Sequence, residues 1–449
     1  MKKLILLFIS TITVQFIQGQ NFQEVCENSV VNGTIVDYQS FGDTIYATGF
    51  FSTICNETVG YIAKWENNEW KPSAINITDP GHAFEVIDNQ LYIAKYEESI
   101  DSNWVYVYNN SSLEKVGSGV YLTTASGFSV LPHIYDIVEF DGKIVACGEF
   151  DRVGQQSING IMQWDGDHWE PLGDGFTGNI LNTAPVIYPH QMLVHNSELY
   201  VVGNFRYAGG EEANGIAKWD GTQWTNMAGG FNNTVYGIAI FDNEIIAGGA
   251  FTESNGTAVD RIAKWDGTQW TPLDFGFTAT SPNDFIFVHT LKVIDDILYI
   301  GGGLKEVTYA DNSTQICNGI VSYNGSSLNT FDGGVAGNDI EAIIKTEDQQ
   351  LLIGGGVFGS GYSGITNINT SIEEELISRE VQIFPNPFEN SIHISARDNF
   401  EKYILFDTKG TVIKAGEFEA TLNLELLPGM YILKLINENT YTAHKIIKR

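Results

Sequence analysis

Basic residues are scarce in this chain: 24 Lys and Arg stand against 55 Asp and Glu in 449 residues, a formal net charge of −31. A field of that sign repels phosphate backbones and anionic headgroups, which argues against nucleic acid and membrane surfaces as partners. The same charge serves solubility; no cofactor is expected, and calcium or a cationic partner would suit it. Long apolar runs are absent too, with one exception at the N-terminus, where Lys2 and Lys3 precede LILLFISTITVQFI and Gln18, Gly19 and Gln20 come after it. That pattern predicts a secretory signal peptide over residues 1–20, cleaved after Gly19 or Gln20, with no transmembrane segment afterwards. Cysteine is rare: Cys26, Cys55, Cys147 and Cys317 show neither a CxxC nor a zinc-ligand spacing. Export makes disulfides available, and a Cys26–Cys55 bridge would staple the N-terminal segment onto the chain around Cys55, but all three pairings stay open. Motifs of common chemistries are missing as well: there is no HExxH, G-x-S-x-G or P-loop. Gly359, Gly361 and Gly364 spell GxGxxG without the helix a dinucleotide site needs.

What the chain has in abundance is repetition. IAKWDGTQWT occurs at Ile216 to Thr225 and again, letter for letter, at Ile262 to Thr271. Each copy follows a hydrophobic hairpin ending in glycine, so the unit reads as four short strands, a propeller blade. The aromatic ending the third strand recurs at Trp65, Tyr108, Trp164, Trp219, Trp265 and Tyr323, spaced by 43, 56, 55, 46 and 58 residues. Five residues later comes a second tryptophan, Trp70, Trp169, Trp224 or Trp270, replaced by Leu113 and Leu328 in two copies. A tryptophan needed by every copy at fixed spacing is expected in the packing between blades and not as a ligand platform. The expected fold class is all-β, a six- to seven-bladed β-propeller over residues 21–360. For seven blades the N-terminal segment at residues 21–32 has to complete the last hairpin.

The hydrophobic strand, the tight Asp/Asn-Gly turn, the aliphatic strand running into Gly-Gly and the following aromatic strand with its Trp resemble the kelch repeat, and also the secreted delta-60 type. The likeness covers about residues 33–360 and departs from the pattern where Glu149 and Asn204 follow Gly148 and Gly203. It implies a propeller and leaves open both binding and enzymatic roles.

The last 70 or so residues differ. After a linker placed at 361–378, short alternating strands over residues 379–449 suggest a small β-sandwich. Phe384 with Pro385, Asn386 and Pro387, then Phe406, Asp407 and Gly410, then Leu427, Pro428, Gly429, Met430 and Tyr431, and the basic end with Lys445, Lys448 and Arg449 resemble the C-terminal sorting domain of the Bacteroidetes type IX secretion system. The resemblance implies the secretion machinery as a partner and delivery to the medium or the outer-membrane surface of a Gram-negative bacterium.

Function is expected on the propeller face carrying the irregular connections. Antiparallel strands put the tight turns of each blade on one face, and the long loops between strands two and three, with the inter-blade crossings, on the other. Arg152, Arg206, Tyr207, Tyr188 and Tyr309 fall there and suit a planar hydrogen-bonding or stacking role toward a glycan or a protein chain. No catalytic residue is assigned, and the expected function is a binding or adhesion module. The alternative is an extracellular polysaccharide-acting enzyme using loop carboxylates such as Asp174, Glu211, Glu212 and Glu253. A set at equivalent positions, His82, Tyr135, His190, Tyr236 and His289, invites a metal reading. It is set aside, and no metal is expected, because an innermost blade strand offers its backbone edge to the channel and the kelch pattern carries His there without a metal role.

Overall fold

The computed structural model describes residues 23–25 and 31–367, apart from 76, 78, 110–111, 124–130, 181–186, 282–283, 332–333, 336–338 and 358–359. In the C-terminal part it describes 382–449, apart from 385–387, 389, 396–399, 401, 407–411, 425 and 437–440. The expected signal peptide and most of the expected linker lie outside these residues, as do Pro385, Asn386, Pro387 and Gly410. The regular structure of the described chain is nearly all β-strand, and the chain divides into two compact units, one ending at Asn367 and one beginning at Ile368.

The first unit is a β-propeller. Its sheets each begin with an inner strand: Thr34–Phe41, Gly81–Ile87, His133–Phe140, Tyr188–His195, Val235–Phe241, Val288–Ile294 and Asp339–Lys345. In every sheet three further strands follow outward of it, all antiparallel, and the second sheet is extended to seven strands by Val120–Tyr121 and the hairpin of Arg152–Val153 with Gln156–Ser157. The inner strands neighbour one another in chain order, and Asp339–Lys345 lies against Thr34–Phe41, which closes the circle. The last sheet is made from both ends of the unit: Gln350–Val357 and Ser360–Asn367 extend it, and Gln23–Glu24 forms its outer strand, with Gln23 opposite Ile365. Residues 361–367, expected in a linker, are therefore part of the third strand of that sheet. They lack the aromatic that closes the third strand elsewhere, so the repeat pattern passes over them.

Turn chemistry explains much of the repeated lettering. Asp88–Asn89, Asp141–Gly142, Asn196–Ser197, Asp242–Asn243 and Asp295–Asp296 all have both residues at positive φ, the two-residue hairpin geometry that Asn, Asp and Gly tolerate. In the WDGxxW turns, Asp220 Oδ1 accepts from the backbone N–H of Thr222 and Gln223, and Asp266 does the same for Thr268 and Gln269. The turn sets the two tryptophans opposite each other, and the Trp219 and Trp224 ring centres lie 5.2 Å apart.

The hydrophobic cores lie between successive sheets, as in the cluster joining Val145, Cys147 and Ile161 to Leu199, Val201 and Trp224. The fourth-strand tryptophans reach across these seams. Trp169 Nε1 donates to Val116 O at 2.8 Å, Trp224 to Leu172 O at 3.2 Å and Trp270 to Met227 O at 3.2 Å. Each acceptor belongs to the chain leaving the preceding sheet, so the indole supplies apolar area and the one polar tie a buried carbonyl needs.

The loops between strands two and three are ordered hairpins. Arg152–Val153 with Gln156–Ser157, Tyr207–Ala208 with Glu211–Glu212, and Glu306–Tyr309 with Thr314–Ile316 each pair with the incoming crossing, at Val120–Tyr121, Phe176–Thr177 and Phe275–Thr278. These pairings gather long loops and crossings on one face.

The second unit has a three-stranded and a four-stranded sheet sharing one core that includes Phe388, Ile392, Tyr403, Leu405, Leu433 and Ile446. Its last strand is clamped: Phe388 N–H donates to Ile447 O at 2.8 Å and Arg449 N–H to Phe388 O at 2.9 Å. Tyr431 OH donates to Leu427 O at 2.9 Å beside Pro428 and Gly429, and Lys448 Nζ sits 5.9 Å from the Phe388 ring centre. Cys55 is disulfide-bonded, Cys147 and Cys317 are buried free thiols, and Cys26 lies outside the described residues.

Candidate functional site

One irregularity recurs in each of the seven inner strands described. The pairing of strand one with strand two skips a residue between Ile35 and Asp37, Gly81 and Ala83, Ile134 and Asp136, Pro189 and Gln191, Val235 and Gly237, Val288 and Thr290, and Ile340 and Ala342. The bulged residues are Val36, His82, Tyr135, His190, Tyr236, His289 and Glu341. A bulge releases its residue from the ladder and re-aims the side chain. This removes the reason for denying convergence: the strand edge does face the axis, but the bulge adds a side chain to it.

The glycine ending strand two is the counterpart of the bulge. A Cβ on Gly148, Gly203, Gly249, Gly302 or Gly355 would stand 1.9 to 2.4 Å from the carbonyl oxygen of His133, Tyr188, Thr234, Phe287 or Asp339. The bulged strand comes so close that only glycine fits.

The resulting cluster sits at the channel mouth on the long-loop face. His190 lies at its centre, with ring centres 5.5 Å from Tyr135, 5.4 Å from Tyr236 and 5.4 Å from His289. His133 extends it beyond Tyr135, and Phe287 extends it beyond Tyr236 and His289. Phe285, 5.2 Å from Phe287 and 66% exposed, carries the aromatic path to the surface. Tyr188, two residues before the His190 bulge, enters the same strand at the mouth.

Burial and neighbours set the charge states here. Burial, with the nearby His289, pulls His190 down to about 3, and its Nδ1 stands 3.0 Å from Tyr236 O. A carbonyl only accepts, so Nδ1 carries the proton and Nε2 is left with its lone pair. Burial lowers His133 to about 4. Tyr135 OH donates to Glu149 Oε2 at 3.1 Å; burial and that carboxylate push Tyr135 well above its usual range, and burial raises Glu149 in turn. For His289, burial acts downward but Asp339 and Glu341 outweigh it and raise the imidazole. Burial, with Asp339 adding repulsion, raises Glu341 to about 7.

Deeper carboxylates are structural. Asp37 accepts from Phe84 N–H at 3.0 Å and Asp136 from Met192 N–H at 2.6 Å, each tying one inner strand to the next. Gln191 makes the same tie to Ile238 N–H at 2.8 Å.

Of the residues singled out in the sequence, Tyr188 joins this cluster and four stand on outer hairpins. Arg206 is held by Glu212 at 3.1 Å and lies 5.4 Å from the Tyr207 ring centre; Arg152 lies 5.7 Å from Tyr121 and Tyr309 OH donates to Gln315 at 3.0 Å. Asp174, Glu211, Glu212 and Glu253 are exposed on three separate connections. His133, Phe285, Phe287, Asp339 and Glu341 were missed. The signal that marks their neighbourhood is the glycine repeated near the end of six of the seven described second strands, Gln90–Glu97 being the exception. The side chain of His82 lies outside what the structure describes.

With this geometry in hand, comparison with known proteins adds an address. Residues 382–449 match the family described as the secretion system C-terminal sorting domain. No curated protein sequence matches the chain. Among solved structures, the β-propeller domain of the Trilobed protease from Pyrococcus furiosus is similar at 10% identity and a TM-score of 0.41, covering 76% of this chain and 95% of that one. YjhT is similar at 12% identity and 0.38, covering 70% and 99%. A Trichoderma reesei carbohydrate-active enzyme of family AA12 is similar at 10% and 0.34, covering 78% and 96%. Likenesses this distant carry no functional argument. The tail does: it directs type IX secretion in Bacteroidetes, to the cell surface or extracellular space, and implies interaction with that machinery. No helix among the described residues is long and apolar enough to cross a membrane.

Proposed function

We propose that this protein is an exported binding module whose kelch-like, delta-60-like propeller takes a glycan chain at the axial mouth of the long-loop face. The observation that carries the reading is the continuous aromatic path from exposed Phe285 through Phe287 and Tyr236 to His190 and Tyr135. Sugar rings present apolar C–H faces that stack on aromatic rings and hydroxyls that need acceptors and donors at the rim. Both are available there, the second from Tyr188, Asp339 and Glu341. Most of these rings stand on paired strands and pack against one another, so they are preorganised and their ordering costs little on binding.

The test is a glycan array probed with the mature chain, then titration of the best ligand against Phe285→Ala and Tyr188→Ala. The reading expects each to weaken binding at least tenfold, with Arg206→Ala close to wild type. Binding insensitive to the mouth variants would overturn it. Release of reducing ends from the bound polysaccharide would mark the protein as an enzyme instead.

A further inference from the structure

Two carboxylates and an imidazole meet at the same mouth. Single donor atoms of His289, Asp339 and Glu341 all lie within 4.8 Å of one another. Among the described residues Asp339 forms an ion pair with His289 alone, through Nδ1 and Oδ2 at 3.5 Å, too long for a strong hydrogen bond. Asp339 Oδ1 and His289 Nδ1 are otherwise buried without a hydrogen-bond partner among the described residues. Among the described residues neither Asp339 nor Glu341 pairs with a lysine or arginine. Clustered carboxylates in a partly enclosed site are costly unless a proton or a cation neutralises them.

From this arrangement we propose that His289, Asp339 and Glu341 form a binding site for a first-row divalent cation of the zinc type, with His190 as the fourth ligand. His190 is prepared for that role: its Nδ1 proton is turned to the Tyr236 carbonyl, the outer-shell contact that fixes a ligating tautomer, and its Nε2 lone pair is spare. Two imidazoles bound to one tetrahedral ion through bonds of about 2.0–2.1 Å place their ring centres roughly 5 Å apart. The His190 and His289 ring centres are 5.4 Å apart. The donor set of two imidazoles and two carboxylates suits zinc or a similar borderline ion, whereas calcium seeks six to eight oxygens. Side-chain rotations of about 1 Å suffice to bring the His289, Asp339 and Glu341 atoms, all within 4.8 Å, down to ligand spacing, and His190, outside that set, swings farther to complete it.

The experiment uses the mature full chain, stripped with a chelator and titrated with ZnCl2 at pH 7.5 by calorimetry, with no glycan present. It is independent of whether a sugar binds. One saturable equivalent is expected, with His289→Ala and Glu341→Gln each lowering affinity at least tenfold and His195→Ala, at the far end of its strand, leaving it unchanged. Absence of a stoichiometric site, or equal binding by all the variants, would overturn the proposal and assign bound zinc to scattered surface carboxylates. To separate loss of the site from loss of the fold, the wild-type chain is also loaded with cobalt(II). Strong d–d absorption of a four- or five-coordinate ion supports the site, and the weak spectrum of the hydrated ion rejects it.

Discussion

Replacing Gly203 with alanine tests the link between the repeated glycines and the axial cluster. Gly203 is not among the glycines at positive φ, so alanine can adopt its backbone conformation. Without a clash, the substitution would stabilise the protein by about 0.4–1 kcal/mol, because the unfolded chain loses freedom. The added Cβ would stand 2.4 Å from Tyr188 O, 2.6 Å from Pro189 Cα and 3.0 Å from His190 N, all backbone atoms. No side-chain rotation relieves such contacts, and overpacking of this kind costs about 1–3 kcal/mol or more. The clash wins: a net loss of roughly 1–2 kcal/mol is expected in chemical denaturation monitored by tryptophan fluorescence. Opening the strand pair at His190 also displaces Tyr188 and His190, so ligand affinity at the mouth falls with stability. An unchanged or raised denaturation midpoint would refute the inference that the bulge demands glycine.

Three further outcomes are expected. Trp224→Phe leaves Leu172 O unsatisfied and should cost about 1–3 kcal/mol, while Trp224→Ala, removing the ring packed against Trp219 and Phe176, should cost about 3–5 kcal/mol in the same assay. Burial raises Asp37 from 3.8 to about 6, so the folded state holds its proton more tightly than the unfolded state. Its contribution is complete below about pH 4 and lost as pH rises through 6, so Asp37→Asn should gain stability relative to wild type between those limits. Subtracting the two denaturation profiles cancels the opposing effect of His133 and His190, and a flat difference would contradict the assignment. Cys147 and Cys317, held buried with their thiols pushed up by burial, should resist alkylation until the chain unfolds, and peptide mapping without reductant should find Cys55 in a bridge.

The architecture was legible because its determinants are local. A turn such as WDGTQW fixes two strands and the cross-strand tryptophan pair, and copies of it set the register of successive blades. The last sheet was harder, since Ser360–Asn367 contains small and polar residues and its fourth strand comes from the opposite end of the unit. The axial site was half visible. The equivalence of Tyr135, His190, Tyr236 and His289 could be read from spacing, but their convergence depends on a bulge, which alters pairing without leaving a distinctive residue at the bulge itself. Its trace is the glycine on the partner strand, which reads as a turn or packing residue until the carbonyl above it is seen. Glu341 joins the set only through ring closure, because no aromatic or histidine marks its position.

The central claim is that ligand is held at the axis by the side chains the bulges turn inward. It is tested most directly by a crystal structure of the mature chain with the glycan selected on the array. The account predicts ligand density at the channel mouth that reaches the bulged Tyr236 or His289 and runs out over Phe287 and Phe285. Density confined to the outer hairpins around Arg206 and Tyr207, with the mouth untouched, would contradict it.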